Sequence, residues 1–282
     1  MKEAVFFRFD DKILLMKTIR LIACDLDGTL LQNGAQELNK DTCDLIARML
    51  DRGVIFYAAS GRQYPNLSDL FAPIKDRIGY ICENGTVVIE KDICIRKNVL
   101  ERSQALKIAE EANALTEYEV LVSGERTGYI CPKSESFYHH LKYVVKDQLE
   151  VVSDFADIPE DIVKVSLYGD RTMVDDIFWK KKYGKEMSVS RGAWCWLDFA
   201  AKGADKGSAL RFVSERLSLS PEEVMAIGDG DNDFDMLRFA GCGVAMENGE
   251  KELQEIADLR IKKAEDFFCS LLEGREDLTL PK

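Results

Sequence analysis

The sequence predicts an α/β protein with a mostly parallel sheet, interrupted by an inserted α+β module. Three observations predict it. The first third of the chain alternates short apolar runs with stretches of helical spacing, the rhythm of βαβ units. The middle switches to paired strands mixed with helices, and after Phe199 the βα rhythm resumes. The simplest organisation is one core domain built from residues 17–89 and 196–282, an insert over 90–195, and an N-terminal extension over 1–16.

IRLIACD (19–25) predicts the first strand. Residues 38–53 place apolar side chains at helical spacing and end in Gly53, a common helix stop. VIFYAAS (54–60) is continuously apolar, as a strand covered on both faces would be. A short helix at 64–71 and a strand at 78–84 follow. Residues 86–99 predict a hairpin turning at Lys91-Asp92. The insert then predicts helices at 101–115, 134–147 and 171–183. Its strands are expected near 119–124, 126–132, 149–153, 162–168, 187–190 and 194–199. A helix at 205–217, a strand at 223–229, a helix from Phe234, a strand at 243–246 and a helix near 250–257 close the pattern.

Composition narrows the function. The formal net charge of −12 argues against a nucleic-acid or anionic-membrane surface. No apolar run approaches the roughly 20 residues that span a bilayer. The first 16 residues carry Glu3, Asp10 and Asp11 and lack a continuous apolar core, so they do not have the form of a signal peptide. They are expected to be an extension outside the domain or a misassigned start. Eight cysteines are scattered without a CxxC pair, which predicts free thiols in a reducing cytoplasm. The two histidines, His139 and His140, are adjacent. That scarcity counts against a Ser-His-Asp hydrolase and a His-ligated zinc site.

Four stretches of the α/β part carry chemistry: Asp25-Leu-Asp27-Gly-Thr29, Ser60-Gly61-Arg62, Lys206, and Gly228-Asp229-Gly-Asp231-Asn232-Asp233. Asp25, Ser60 and Asp229 each follow an apolar run, so each is expected at the C-terminal end of a strand, the edge where open parallel sheets bind ligands. An EF-hand loop fails, because counting from Asp229 puts Phe234 at position six and Ala240 at position twelve. A P-loop fails, because no GxxxxGK[ST] occurs. Taken alone, either acidic stretch could be a solvated turn; their joint occurrence at strand ends points to a site.

Four carboxylates (Asp25, Asp27, Asp229 and Asp233) brought together need a cation. Two like charges ~4 Å apart repel by about 4 kcal/mol at an effective dielectric near 20. Lys206 alone is insufficient. Carboxylate oxygens without His or thiolate partners suit Mg²⁺, which shares its shell with substrate phosphate. Ser60 and the backbone N–H groups near Gly61 and Asp27 would add neutral donors. The set predicts a phosphoryl-binding site.

In combination, DLDGTL, Ser60, KGADKGSAL (202–210) and GDGDNDFDML (228–237) resemble the haloacid dehalogenase superfamily. ASGRQYPN (59–66) and ICENG (81–85) resemble its Cof-type, subclass IIB sugar-phosphatase branch. The resemblance implies a Rossmann-like core with an inserted α+β cap. It implies that Asp25 is a nucleophile forming an aspartyl-phosphate and that Asp27 is the general acid and base. Ser60, Gly61, Lys206 and Asn232 would hold phosphate. Asp25, Asp27 (through its backbone carbonyl), Asp229 and Asp233 would form the Mg²⁺ site, Asp233 by orienting the metal's waters. Asp231 is expected to be a turn residue. Tyr129, Trp194 and Trp196 are expected to pack in the cap core, and Arg62 is left open between substrate contact and surface charge. The expected activity is a cytoplasmic Mg²⁺-dependent phosphatase of small phosphorylated metabolites, monomeric or weakly self-associating, with no nucleic-acid or membrane partner. A phosphomutase on the same scaffold and a non-catalytic binding module are the competing readings.

Overall fold

A computed structural model describes residues 18–169, 175–191 and 195–273. The expected extension over 1–16, Trp194, and the first residues of the helix expected from 171 lie outside the described residues. The chain opens with strand β1 (Leu21–Asp25), helix α1 (Thr42–Asp51), β2 (Ile55–Ala59), α2 (Tyr64–Leu70) and β3 (Gly79–Cys82). A hairpin of β4 (Val87–Glu90) and β5 (Ile93–Lys97) follows. Lys91 and Asp92, at φ +48° and +64°, make its two-residue turn, the primed geometry that suits strand twist.

The middle holds α3 (Arg102–Asn113), β6 (Glu119–Ser123), β7 (Gly128–Ile130), α4 (Glu135–His139), β8 (Leu149–Val151), β9 (Lys164–Tyr168), α5 (Asp176–Tyr183), β10 (Met187–Arg191) and β11 (Trp196–Ala201). Then come α6 (Lys206–Arg216), β12 (Val224–Gly228), α7 (Phe234–Phe239), β13 (Cys242–Met246), α8 (Lys251–Ile256), β14 (Leu259–Ile261) and α9 (Ala264–Glu273).

Two sheets result. The first has eight strands in the order β14-β13-β12-β1-β2-β3-β4-β5, parallel from β14 to β3 and antiparallel beyond. The second has six strands, β10-β11-β9-β6-β7-β8. Expected boundaries at 90 and 195 therefore move. Strand β5 extends the first sheet through β4, while β11 is paired on both sides within the second sheet by β9 and β10. The crossings fall after Lys97 and after Ala201.

β1 has no exposed residue because both faces are covered. Ile22 and Cys24 join Ile46, Met49 and Phe268 in one apolar cluster, while Leu21 and Ala23 join Leu210, Val213 and Met236 in another. The second sheet is sided differently. Val165, Leu167, Leu197 and Phe199 pack with Ile108, Trp179 and Tyr183. Strand alternation then turns Lys164, Ser166 and Asp198 to the opposite face. The helix expected over 134–147 divides: after α4, residues His140–Val145 form a π-helical turn that ends at Lys146 with φ +66°.

Gly85 joins the end of β3 to the start of α6. It holds φ +93°, and a Cβ there would lie 2.2 Å from the Asp205 carbonyl oxygen. Gly85→Ala must shift backbone at the residue before Lys206. We expect it to cost about 2–4 kcal/mol of stability, read as a lowered melting temperature, and to reduce turnover by displacing Lys206. A variant that melts like the parent would show that the contact relaxes freely.

Candidate active site

The three central strands β12, β1 and β2 are neighbours in register, with Cys24 beside Ile227 and Asp25 beside Ala59. Their C-terminal ends therefore place Asp25, Ser60 and Asp229 along one edge. Asp25 is 4% exposed. The start of α6 supplies Lys206, whose Nζ donates to Asp25 Oδ1 at 2.5 Å and Asp233 Oδ1 at 2.7 Å. The Lys206 side chain has no exposed surface. α6 begins there because Asp205 caps it, accepting from the Ser208 N–H at 2.7 Å.

Asp233 does two things at once. Its Oδ1 meets Lys206, and its Oδ2 accepts from the backbone N–H groups of Asp229 and Gly230, each at 3.0 Å. The carboxylate thus fastens the loop carrying Asp229. Asp25, Asp229 and Asp233 offer oxygen atoms within 4.8 Å of one another, so the residues present form an acidic cluster able to hold a metal. Against three carboxylates stands one ammonium. Burial, then Asp233, drives the Asp25 carboxyl well above its ordinary range despite Lys206. Burial and Asp233 likewise push Asp229 up to about 6. Burial works against the Lys206 ammonium, but Asp233 and Asp25 outweigh it and hold its pKa above the usual range.

Of the expected metal ligands, Asp27 stands apart by its side chain. That carboxylate is about half exposed and forked by Arg62, with Nε at 2.8 Å and Nη2 at 2.5 Å. Asp233 lies in the cluster, but both of its oxygens already accept hydrogen bonds. Gly28 is required beside them: at φ +89° its Cβ would fall 2.0 Å from Asp229 Oδ2. Thr29 donates its hydroxyl to Asp229 Oδ1 at 3.2 Å.

Ser60 is buried, its Oγ accepting from the Arg62 N–H at 3.2 Å. It lines a cavity of about 740 Å³ together with Asp25, Asp27, Gly61, Asp229 and Asn232. Asp231 also lines this cavity, at the start of the 3₁₀ turn Asp231–Asp233. Asn232 donates to Asn84 Oδ1 at 2.9 Å, and Asn84 donates to Asp198 Oδ2 at 2.7 Å. This chain ties the Asp229 loop to the second sheet. Lys164, also buried, donates to the Gly61 carbonyl at 3.1 Å and pairs with Glu83 at 2.6 Å. Asn84, Glu83, Lys164 and Asp198 were not singled out as site residues by the sequence. In KVSLY and WLDFA, Lys164 and Asp198 read as the polar side of an alternating strand, and such a side normally faces water. Tyr129 does pack in the insert's core, donating to Glu160 at 2.9 Å. Trp196 packs, half-buried, against a smaller apolar cluster of the insert around Phe137 and Leu141, with its ring tilted 4.9 Å from Tyr168, and it also lines the cavity.

The pH dependence of stability follows from Asp229. Its folded-state carboxyl binds a proton more readily than the ordinary group does, so its contribution is present below about pH 4 and lost as pH rises through about 6. Asp25 acts in the same direction. The chelated protein should lose melting temperature between about pH 4 and 6, and Asp229→Asn should flatten that decline. An identical slope in the variant would exclude this origin.

Comparison with known proteins agrees with the geometry. A model of haloacid dehalogenase-like hydrolases matches residues 22–267. The 5-amino-6-(5-phospho-D-ribitylamino)uracil phosphatase of Escherichia coli K12 is 27% identical over 256 residues, spanning 86% of this chain and 90% of its own. A haloacid dehalogenase-like hydrolase from Bacteroides thetaiotaomicron has the same fold, with TM-score 0.79 at 23% identity over 91% of this chain and 100% of that one. A solved subclass IIB sugar phosphatase gives TM-score 0.75 at 21% identity, over 89% of this chain and 96% of its own. Among the described residues no helix is long and apolar enough to cross a membrane. The chain belongs to the haloacid dehalogenase-like hydrolase family.

Proposed function

We propose that the protein is a Mg²⁺-dependent phosphatase of small phosphate monoesters, acting through an aspartyl-phosphate on Asp25. The observation that carries this reading is the buried Asp25 carboxylate at a strand end, held on one oxygen by Lys206 with Asp229 close by. Its second oxygen is the nucleophile. The relative from Escherichia coli, named for a phosphorylated ribityl compound, supports a hydroxyl-rich metabolite as the substrate class.

Asp25 and Asp229 would hold the metal, which when bound supplies positive charge against the transferring phosphoryl group. Asp233 acts through others, positioning Lys206 and the Asp229 backbone. In the first half-reaction an Asp25 oxygen bonds phosphorus and the ester P–O bond breaks. Asp27 gives its proton to the departing alkoxide. In the second half, water attacks the aspartyl-phosphate, Asp27 takes its proton, and inorganic phosphate leaves with Asp25 restored. Lys206 holds Asp25 in place throughout, and the Ser60 hydroxyl, on the same cavity wall, donates to a phosphoryl oxygen. Gly61 and Asn232 line the phosphate end.

With Mg²⁺ the protein should release inorganic phosphate from p-nitrophenyl phosphate, and chelation should stop it. Asp25→Asn should lower kcat by at least about 10⁴-fold, because an amide oxygen is a poor nucleophile. Full activity in that variant would overturn the covalent mechanism, and turnover in excess chelator would overturn the role of the metal.

A further inference from the structure

The cavity above Asp25 has a second end, walled by the six-stranded sheet and the π-helical turn. Most charged groups there are already paired. Lys164 lies between Glu83 at 2.6 Å and Asp198 at 3.8 Å. Asp198 also accepts from Ser166 at 2.6 Å and Asn84 at 2.7 Å. Arg62 is committed to Asp27 and Asn66.

Asp147 is different. It is 6% exposed, lines the cavity, and its Oδ1 has no hydrogen-bond partner among the described residues. Two unusual backbone features lead up to it, the π-helical turn and the left-handed Lys146. Both are uncommon and tend to persist where a side chain must be aimed. Gln63 lines the same cavity and is 3% exposed. Its Oε1 accepts from the Gln148 N–H at 3.2 Å, which fixes the orientation of the amide. Its Nε2 is then left without a partner among the described residues. One buried acceptor and one buried donor, the donor's amide bonded to the backbone of the residue after Asp147, both lack what buried polar groups normally have.

We propose that Asp147 and Gln63 form a leaving-group subsite for a substrate hydroxyl, which donates to Asp147 and accepts from Gln63. The proposal rests on the phosphatase reading above. A hydroxyl supplies a donor and an acceptor on one atom, the complement of this pair. A carboxylate or second phosphate in the leaving group has no counterpart there, since the wall's cations are occupied and Asp147 would repel it. Burial, then Glu83, pushes the Asp147 carboxyl up to about 7 against Lys164 and Arg62, and a hydroxyl can pair with either protonation state.

The test compares sorbitol 6-phosphate, 6-phosphogluconate and p-nitrophenyl phosphate, each with Mg²⁺, on the parent protein, Asp147→Leu, Asp147→Asn and Gln63→Leu. The parent should favour sorbitol 6-phosphate over 6-phosphogluconate. In Asp147→Leu and Gln63→Leu, the kcat/KM ratio of sorbitol 6-phosphate to p-nitrophenyl phosphate should fall about 10-fold or more, mainly through KM. Asp147→Asn keeps an acceptor oxygen and should recover part of that ratio. A ratio within about 2-fold of the parent in both leucine variants would overturn the subsite while leaving the phosphatase reading intact. A preference of the parent for 6-phosphogluconate would also overturn it. A parent that turns over none of the three esters would overturn the phosphatase reading, and the subsite with it.

Discussion

The Lys206 ammonium, buried between Asp25 and Asp233, is the interaction on which the rest of the site depends. A charge so enclosed is costly unless its partners are close and well placed. Here the partners come from β1 and from the turn after β12, while the lysine itself opens α6. The three elements can approach only if the charges meet, and the charges can be buried only if the elements approach. Asp233 extends the lock by gripping two backbone N–H groups of the Asp229 turn. With all three carboxylates ionised, the cluster carries two more negative charges than the Lys206 ammonium neutralises. That excess is a stability cost retained at a functional site.

A second chain of contacts couples the two sheets. Asn232, beside Asp233, reaches Asn84, and Asn84 reaches Asp198 on β11. Lys164 on β9 meets the Gly61 carbonyl directly after Ser60. The strand ends of the first sheet and the cavity wall formed by the second therefore share hydrogen bonds. A small shift of the second sheet would be felt at Asn232 and Gly61, on the wall of the cavity that holds Asp25. The insert is thereby both a wall of the cavity and a support for the loops that carry Ser60 and Asp229.

How much of this was legible in the sequence depends on which physical signal each part leaves. The parallel strands show as continuous apolar runs because both faces of β1 and β2 are buried, and the polar groups at their ends stand out by contrast. Asp25, Ser60 and Asp229 could be found that way, and Lys206 by the motif it shares with them at the opening of a helix. The insert's contribution could not. Lys164, Ser166 and Asp198 alternate with apolar residues as on any half-exposed strand, and alternation cannot tell a face turned to water from one turned to a polar cavity. The sheet to which β5 and β11 belong was not legible either, because a strand's own residues do not name its hydrogen-bonding partners. Asp147 was hidden inside an apparently regular helix, since a π-helical turn keeps the same residue types as an α-helix.

The Asp-Leu-Asp spacing itself has a physical reason. Leu26 has no exposed surface and packs in the cluster beneath β1, and its carbonyl accepts from the Leu31 N–H at 2.7 Å. That anchor ends the strand while holding the chain in place for one more residue. Asp25 consequently stays in the buried, desolvated edge, while Asp27 emerges about half exposed beside Arg62. Two carboxylates two residues apart thus occupy opposite surroundings. One is fixed on a buried ammonium, and the other stands near water beside a guanidinium. Chemistry that needs a nucleophile and a separate proton carrier is served by that contrast, and a polar residue at position 26 would weaken it by loosening the anchor between them.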